Sequence, residues 1–228
     1  MQWTLVIPLK PLARAKSRLS DTAADGVRRS LALAFAQDTV AAALACAAVR
    51  DVAVVTDDVL AGRELAALGA RIVPDEPRGG LNAALAHAAA AVRTLRPEAA
   101  VAALNADLPA LRPLELARVL DAAAEFPRAF LPDAAAIGTT LLAAAPGREL
   151  LPSFGPDSRA RHRASGAVEI GLGAVDSVRQ DVDTGEDLRA ALALGVGPHT
   201  AAAAARLPGA AARPVSAATP QTGGPAPV

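Results

Sequence analysis

The chain has 228 residues, and its 23 Lys and Arg balance its 23 Asp and Glu. Hydrophobic residues make up 52% of the sequence and aromatic residues only 2%, which indicates one globular domain with a closely packed aliphatic core. A net charge of zero provides no long-range attraction to nucleic acid or to an anionic membrane. We therefore expect neither as a partner, and any phosphate ligand must be held by a local cluster of charges.

The sequence carries no sign of secretion or of a membrane anchor. The first ten residues, MQWTLVIPLK, lack the basic and long apolar regions of a signal peptide. No stretch approaches the ~18 strongly apolar residues of a membrane span. Cys46 is the single cysteine and lies in an apolar run, so it is predicted to be a buried core residue. We expect a cytoplasmic protein.

Short β-branched runs alternate with longer segments of helical period, as in βαβ units around a mostly parallel sheet. Strands are predicted over residues 3–9, 51–56, 70–74, 99–105 and 128–131. Helices are predicted over residues 27–47, 60–68, 81–95 and 113–125. The predicted fold class is α/β, a single Rossmann-like domain whose mostly parallel central sheet is flanked by helices.

Beyond residue 131 the alternation of strands and helices becomes irregular, and we expect this region to bind part of the substrate. The pattern predicts a strand over 139–144, a loop over 153–157, a basic helix over 158–164, extended pieces up to residue 181 and a last helix over 185–194. The domain is expected to span residues 1–200. Residues 208–228 are rich in Pro, Ala and Gly with few large apolar side chains, so they are expected to form a disordered tail.

A basic loop follows the opening strand, with four cations in nine residues: Lys10, Arg14, Lys16 and Arg18. Such a loop suits a polyphosphate, because Arg contacts phosphate through two N–H groups and Lys acts as a mobile point charge. It lacks the glycines of a Walker motif, which argues against a P-loop NTPase. The alternative is a solvated basic loop without a ligand.

Two carboxylate motifs are candidates for a divalent metal. Asp107 directly follows the apolar run of a predicted strand, although a simple role in the turn before Pro109 is an alternative. Asp181 and Asp183 lie two apart on an extended segment and so face the same side, although Asp183 or Thr184 could instead cap the next helix. Mg²⁺ prefers one or two carboxylates together with phosphate oxygens and water. The pattern therefore favours a Mg²⁺ site.

Three further residues are candidates for nucleotide binding. Gly80 and Asn82 stand at a helix start, where glycine lets backbone N–H groups approach a nucleotide closely, although an ordinary flexible turn explains them equally well. Thr56 ends the second strand, within reach of a base or ribose.

The basic helix offers a candidate anion site. Gly155 and Ser158 lie where a loop enters a segment with three arginines, and a helix start of this kind favours anions. His162 lies in the same segment and could join the anion site, but the favoured prediction for a lone histidine is a surface position.

Six segments together closely resemble the guanylyltransferases of coenzyme F(420) biosynthesis, which act on 2-phospho-L-lactate or phosphoenolpyruvate: IPLKPLARAKSRL, RGGLNAAL, NADLPAL, IGTTLL, FGPDSRARHRASGA and DVDTGEDL. The resemblance runs from the first strand to about Pro198. It implies the nucleotide-diphospho-sugar transferase fold, with GTP, Mg²⁺ and a small phosphorylated three-carbon acid as ligands. One departure is Ala106, where many members have Gly, and a residue so small is expected to have little effect.

The resemblance also implies roles for site residues. Mg²⁺ would be held by Asp107, Asp181 and Asp183, and the acid would be held by Thr139, Gly155 and Ser158. The GTP phosphates would be contacted by Lys10, Lys16 and Arg18, and these three cations and Asp107 would be the catalytic residues.

The implied reaction transfers GMP from GTP to phosphoenolpyruvate or 2-phospho-L-lactate and releases pyrophosphate. The alternatives are another nucleotidyltransferase of this fold, acting on molybdenum cofactor or a sugar phosphate, and a non-catalytic nucleotide-binding domain. Relatives of the first kind usually carry Leu-x-Gly-Gly where this chain has Ile7-Pro8-Leu9-Lys10, and the second has no reason to retain the carboxylates. The sequence leaves open whether the chain forms a homo-oligomer, and whether it hands its product to the next enzyme.

Overall fold

The computed structural model describes residues 1–14, 24–76 and 79–207. Its strands are β1 Trp3–Pro8, β2 Val49–Val55, β3 Arg71–Val73, β4 Ala100–Leu104, β5 Arg128–Pro132, β6 Thr139–Ala144 and β7 Val168–Glu169. Its α-helices are α1 Asp25–Leu44, α2 Val59–Ala67, α3 Leu81–Leu95, α4 Pro113–Ala123, α5 Ser158–Ala164, α6 Asp176–Arg179, α7 Gly185–Leu194 and α8 Pro198–Ala204.

The strands form one sheet in the order β3-β2-β1-β4-β6-β5-β7. Strands β1 to β4 pair in parallel, and β5 pairs in parallel with β7. Strand β6 is antiparallel to both β4 and β5, so it alone of these seven strands runs in the opposite direction. Because β6 is reversed, its first residue lies at the same edge as the carboxyl ends of the others. This confirms the predicted single α/β domain with a mostly parallel sheet.

Alternate side chains of the central strands enter two cores on opposite faces of the sheet. In β1, Leu5 and Ile7 pack into a core shared with α1, α2 and α4, while Val6 packs into a core shared with α3. Strand β4 is buried along its whole length, as expected of a strand covered by helices on both sides. The two cores fix the sheet, so the residues that follow its strands are held in defined places.

The predicted elements up to residue 194 are present, with ends within three residues of the predicted bounds. Two predictions are wrong. The segment before Asp181 contains the short helix α6 and is not simply extended, and α7 is not the last helix, because α8 follows it. Helix α8 is too short to show a period, and its first turn is capped from a distant part of the chain. The buried carboxylate of Asp38 in α1 accepts hydrogen bonds from the amides of His199 and Thr200.

Cys46 is buried in the core, as predicted, and burial raises the pKa of its thiol. Throughout the described ranges, every helix is too short or too polar to span a bilayer. The predicted tail of residues 208–228 lies outside the described residues, so its structure stays a prediction.

Candidate active site

A cavity of about 580 Å³ opens at the edge of the sheet where the parallel strands end. This is where open α/β sheets bind their ligands. Its walls come from the ends of β1, β4 and β5, the start of β6, the starts of α3 and α5, and the segment before α7. The lining residues are Pro8, Leu9, Lys10, Ala32, Leu81, Asn105, Ala106, Asp107, Asp133, Ile137, Gly138, Thr139, Phe154, Gly155, Pro156, Asp157, Ser158, Asp181 and Asp183.

The cavity collects seven of the predicted site residues, although they are far apart in the sequence: Lys10, Asp107, Thr139, Gly155, Ser158, Asp181 and Asp183. Three predicted residues within the described ranges, Thr56, Gly80 and Asn82, are not part of its lining. The remaining two, Lys16 and Arg18, lie outside the described residues. The chemical roles of all of these residues stay predictions.

Asp107 is held from both sides by Thr39 of α1, whose side chain is completely buried. The Thr39 hydroxyl accepts a hydrogen bond from the Leu108 amide at 3.0 Å and lies 3.2 Å from the carbonyl oxygen of Ala106. It also lies 2.8 Å from the carbonyl oxygen of Phe35, one turn earlier in α1. A buried side chain of α1 thus fixes the backbone on both sides of the Asp107 carboxylate. The sequence does not reveal this role, because Thr39 lies inside an Ala-rich helix with no motif around it.

The second pair of carboxylates is joined to the first by the backbone. The amide of Val182 donates a hydrogen bond to the carbonyl oxygen of Asp107 at 3.0 Å. Val182 is fully buried, while Asp181 and Asp183 on either side line the cavity. This bond places the two carboxylate segments side by side.

The capping alternative for Asp183 is resolved by the start of α7. Thr184 is the N-cap residue, and it forms a capping box with Asp187. The side chain of Asp183 does not act as the cap. Capping therefore does not account for Asp183.

The donor set of the cavity fits an open Mg²⁺ site. Among residues 1–14, 24–76 and 79–207, no three His, Cys, Asp or Glu side chains form a ready-made metal cluster. Mg²⁺ needs fewer protein ligands, because phosphate oxygens and water complete its coordination. Asp107, Asp181 and Asp183 supply carboxylate oxygens to one cavity, which is the donor chemistry that Mg²⁺ prefers.

The described wall of the cavity is acidic. It carries five aspartates, at positions 107, 133, 157, 181 and 183, and within the described residues Lys10 is its single Lys or Arg. Two anionic phosphates would be repelled from such a wall unless cations accompanied them. The electrostatics therefore call for bound cations, or for basic side chains from the loop after β1, when phosphates occupy the cavity.

Asp133 is a cavity residue that the sequence interpretation missed. Its carboxylate accepts hydrogen bonds from the amides of Ile137 at 3.0 Å and Gly138 at 2.8 Å, which closes the turn between β5 and β6. A Cβ atom at Gly138 would collide with this carboxylate, so a larger residue there would displace the carboxylate and its two hydrogen bonds. The turn positions the next residue, Thr139, at the cavity wall.

His162 is completely buried, so the prediction of a surface residue is wrong. Its Nδ1 lies 3.0 Å from the Thr139 hydroxyl, and its Nε2 accepts a hydrogen bond from the Ser153 amide at 2.9 Å. Helix α5 has only seven residues, too few for a period to reveal which face is buried. The spacing of Ser158 and His162 was the available signal, since residues four apart share a helix face, and both are buried.

The arginines of α5 have partners in the protein. Arg159 and Arg163 both pair with Glu169, and Arg161 donates a hydrogen bond to the carbonyl oxygen of Phe154. Hydrogen bonds and ion pairs with both arginines lower the pKa of the Glu169 carboxyl. The basic helix is thus fastened to its surroundings through these side chains.

Asn82 joins the loop over residues 153–157 to the start of α3. Its Nδ2 donates to the carbonyl oxygen of Phe154 at 3.1 Å, and its Oδ1 accepts from the Phe154 amide at 2.7 Å. Gly80, the N-cap of α3, has φ +87°, a conformation that favours glycine. Thr56 is buried, and its hydroxyl accepts a hydrogen bond from the Asp58 amide.

We expect Asn82→Ala to lower the free energy of unfolding by about 2 kcal/mol, because two hydrogen bonds are lost and a backbone amide is left without its partner. We also expect it to raise the KM for the second substrate more than the KM for the nucleotide, because the loop it fixes carries Gly155. Asn82→Asp keeps the acceptor for the Phe154 amide, so its stability and its KM values should lie between those of the wild type and of Asn82→Ala. Urea unfolding and two-substrate kinetics test this, and a rise confined to the nucleotide KM would indicate direct nucleotide contact instead.

His162 should make stability depend on pH. Burial, followed by the nearby charges of Arg128 and Arg161, lowers its pKa from the ordinary value of 6.5 to about 4. Between these values the unfolded chain binds more protons, so this contribution is complete above about pH 6.5 and is lost as the pH falls towards 4. Between pH 7 and pH 5 the loss should be about 2 kcal/mol.

Urea unfolding at pH 7 and pH 5 measures this contribution. His162→Gln should lose about 2 kcal/mol less stability than the wild type between the two pH values. His87→Gln, a change at an exposed histidine, is the matched control and should behave like the wild type. Equal losses in the wild type and His162→Gln would contradict the expectation.

Comparison with known proteins identifies the family of the chain. The family described as "Guanylyl transferase CofC like" matches residues 3–203. The chain is 86% identical over 207 residues to a phosphoenolpyruvate guanylyltransferase of Streptomyces avermitilis, an alignment that covers 91% of this chain and 96% of that protein.

Solved structures share the fold at low sequence identity. A nucleotidyl transferase from Methanothermobacter is 19% identical with a TM-score of 0.58, covering 85% of this chain and 97% of that one. A Mycobacterium tuberculosis protein in complex with manganese is 21% identical with a TM-score of 0.52, covering 85% and 99% of the respective chains. The family match and the 86% identity decide the family, and the chain belongs to the CofC-like guanylyl transferases and is a nucleotidyltransferase enzyme.

Proposed function

We propose that this chain transfers GMP from GTP to the phosphate of phosphoenolpyruvate and releases pyrophosphate, as a cytoplasmic step of coenzyme F(420) biosynthesis. The observation that carries the proposal is that residues suited to a nucleotide phosphate, a divalent metal and a small anionic acid line a single cavity. The 86% identical Streptomyces avermitilis relative carries the name of this reaction. The domain of residues 1–200 would perform the reaction without the tail.

The proposal divides the cavity into two sides. Lys10, Lys16 and Arg18, from the segment after β1, would contact the GTP phosphates. Gly80 and Thr56, which lie outside the cavity lining, are assigned to nucleotide contact, and Asn82 joins the start of α3 to the loop that carries Gly155.

Thr139, Gly155 and Ser158 form the acceptor side and hold the phosphate and carboxylate of the acid. All three line the same cavity as Asp107. Small polar and backbone groups suit a ligand of this size, because they can approach its oxygens closely.

The chemistry needs no general base from the protein. The second pKa of a phosphate monoester is about 6, so at pH 7 the acceptor oxygen is largely an anionic nucleophile. This oxygen attacks the α-phosphorus of GTP, a new P–O bond forms, and the bond between the α-phosphorus and the bridging oxygen breaks as pyrophosphate leaves. The protein must align the two substrates and offset the repulsion between them.

The proposal assigns Asp107, Asp181 and Asp183 to a Mg²⁺ ion. Bound there, Mg²⁺ would neutralise charge on the phosphates of the acidic cavity. The Mycobacterium tuberculosis neighbour is a complex with manganese, which supports a divalent ion for this fold. Lys10, which lines the same cavity, would add positive charge.

The deciding experiment incubates the chain with GTP, Mg²⁺ and one acid at a time, and measures pyrophosphate. We expect release with phosphoenolpyruvate, and 2-phospho-L-lactate is the second candidate because it differs only in oxidation state. ATP in place of GTP tests the base preference, and EDTA tests the metal. If none of the acids leads to pyrophosphate release, the proposal is refuted, and another acceptor or a non-catalytic domain is favoured.

A further inference from the structure

The tautomer of His162 is fixed by a backbone amide. The Ser153 N–H lies 2.9 Å from Nε2 of His162, and an amide nitrogen can only donate. Nε2 must therefore carry a lone pair and no proton. The ring is then neutral, and its single proton is on Nδ1.

This tautomer determines the hydrogen bond to Thr139. Nδ1 lies 3.0 Å from Oγ1 of Thr139, so the ring N–H donates and the hydroxyl oxygen accepts. A threonine hydroxyl has one proton, and that proton cannot lie between the two atoms. Among the described residues, no other group forms a hydrogen bond with this hydroxyl, and Thr139 lines the cavity. The Thr139 O–H is therefore available to donate to a ligand in the cavity.

The surroundings hold the imidazole in place. The rings of Phe130 and Phe154 lie with their centroids 5.8 Å and 5.1 Å from that of His162. Helix α5 carries Ser158 and His162 one turn apart on its buried face, so one element positions a cavity residue and the support of Thr139. The pKa of His162 is lowered to about 4, in keeping with a neutral ring.

We propose that His162 is a positioning residue that holds the Thr139 hydroxyl as a hydrogen-bond donor towards an anionic oxygen of the phosphorylated acid. A hydroxyl that rotates freely presents its lone pairs to an anion part of the time, which is repulsive. A hydroxyl whose oxygen already accepts from Nδ1–H keeps its proton for the anion, and hydrogen bonds to charged oxygens are the strong ones. This inference rests on the proposed function for the identity of the acid, and on the geometry alone for the tautomer.

Kinetics of four variants test the role in binding. Thr139→Val and His162→Phe should each raise the KM for phosphoenolpyruvate about 10-fold or more, with the KM for GTP changed less than about twofold. In the double variant the rise in the KM for phosphoenolpyruvate should be clearly smaller than the product of the two single rises, because His162 acts on the acid through that hydroxyl. Thr139→Ser keeps a hydroxyl and should restore most of the loss.

Additive effects of the two single changes, or equal rises in both KM values, would overturn the role and leave His162 a purely structural residue. If His162→Phe does not fold, His162→Asn replaces it in the cycle. The Asn side chain can keep a donor near the Nδ1 position, so this variant should retain acceptor binding better than Thr139→Val. If the KM for phosphoenolpyruvate in His162→Asn is as high as in Thr139→Val, this result counts against the proposal.

Nitrogen NMR of the full chain labelled with ¹⁵N-histidine reports the tautomer without any substrate. The signal lost in the His162 variant should show a proton on Nδ1 and none on Nε2 in the wild type at pH 7. A proton on Nε2 would overturn the inference even if the enzyme is active. If no acid supports turnover while Nδ1 is protonated, the proposed function fails and the tautomer assignment stands.

Discussion

Asp107→Asn should reduce turnover at least about 100-fold while the fold is retained, a loss of about 2.7 kcal/mol of transition-state stabilisation. The change removes a charge at nearly constant volume, in the cavity to which we assign a divalent cation and the substrate phosphates. Asp107 is held by backbone contacts at Ala106 and Leu108, which the substitution does not remove. Pyrophosphate release at saturating GTP and acid measures the effect, and circular dichroism with urea unfolding checks the fold.

Asp121→Asn, the same change at an exposed position of α4, is the matched control and should leave turnover unaltered. Raising the Mg²⁺ concentration should recover part of the activity of Asp107→Asn if the defect lies in metal affinity. Turnover of Asp107→Asn close to that of the wild type would remove Asp107 from the proposed metal site.

Thr39→Val should have the second largest effect. It keeps the shape of the side chain and removes the hydroxyl, which leaves the Leu108 amide without its partner. We expect turnover to fall about 10- to 100-fold, as for residues that orient a metal ligand without touching the metal. Stability should fall by about 1–3 kcal/mol, the cost of a buried amide left unsatisfied.

Thr94→Val is a matched control for this change. Thr94 also hydrogen-bonds to the carbonyl oxygen one turn earlier in its helix, but it is exposed and lies in α3. It should alter neither turnover nor stability by a measurable amount. If Thr39→Val lowers stability and leaves kcat unchanged, then Thr39 supports the fold but does not position Asp107.

Much of the fold can be predicted from local pattern. The run Ala100–Leu104 is apolar throughout because helices cover both faces of β4, and such a run is visible in the sequence. Helix α8 could not be predicted, because Asp38 caps it from α1 and that contact exists only after folding. The reversal of β6 is likewise a matter of pairing between distant strands, which no local pattern encodes.

Site residues could be predicted where a charged side chain directly follows a strand or an extended segment. Asp107 and the pair at 181 and 183 are visible in this way, and they do line one cavity. Thr39 and Asn82 act through backbone groups of distant segments, and their own neighbours in the sequence give no hint of these contacts. For His162 the spacing to Ser158 was the one signal in the sequence. Residues that touch ligands could be proposed from sequence, whereas those that hold them in position required the structure.

The hydrogen bond from Val182 to Asp107 gives the site an internal reporter. Its amide proton can exchange with solvent deuterium only when the segment carrying Asp181 and Asp183 separates from the Asp107 loop. The exchange rate of this single amide therefore measures how often the two carboxylate segments come apart. Ligands that bridge the segments should slow it, so occupancy can be followed in enzyme that does not turn over.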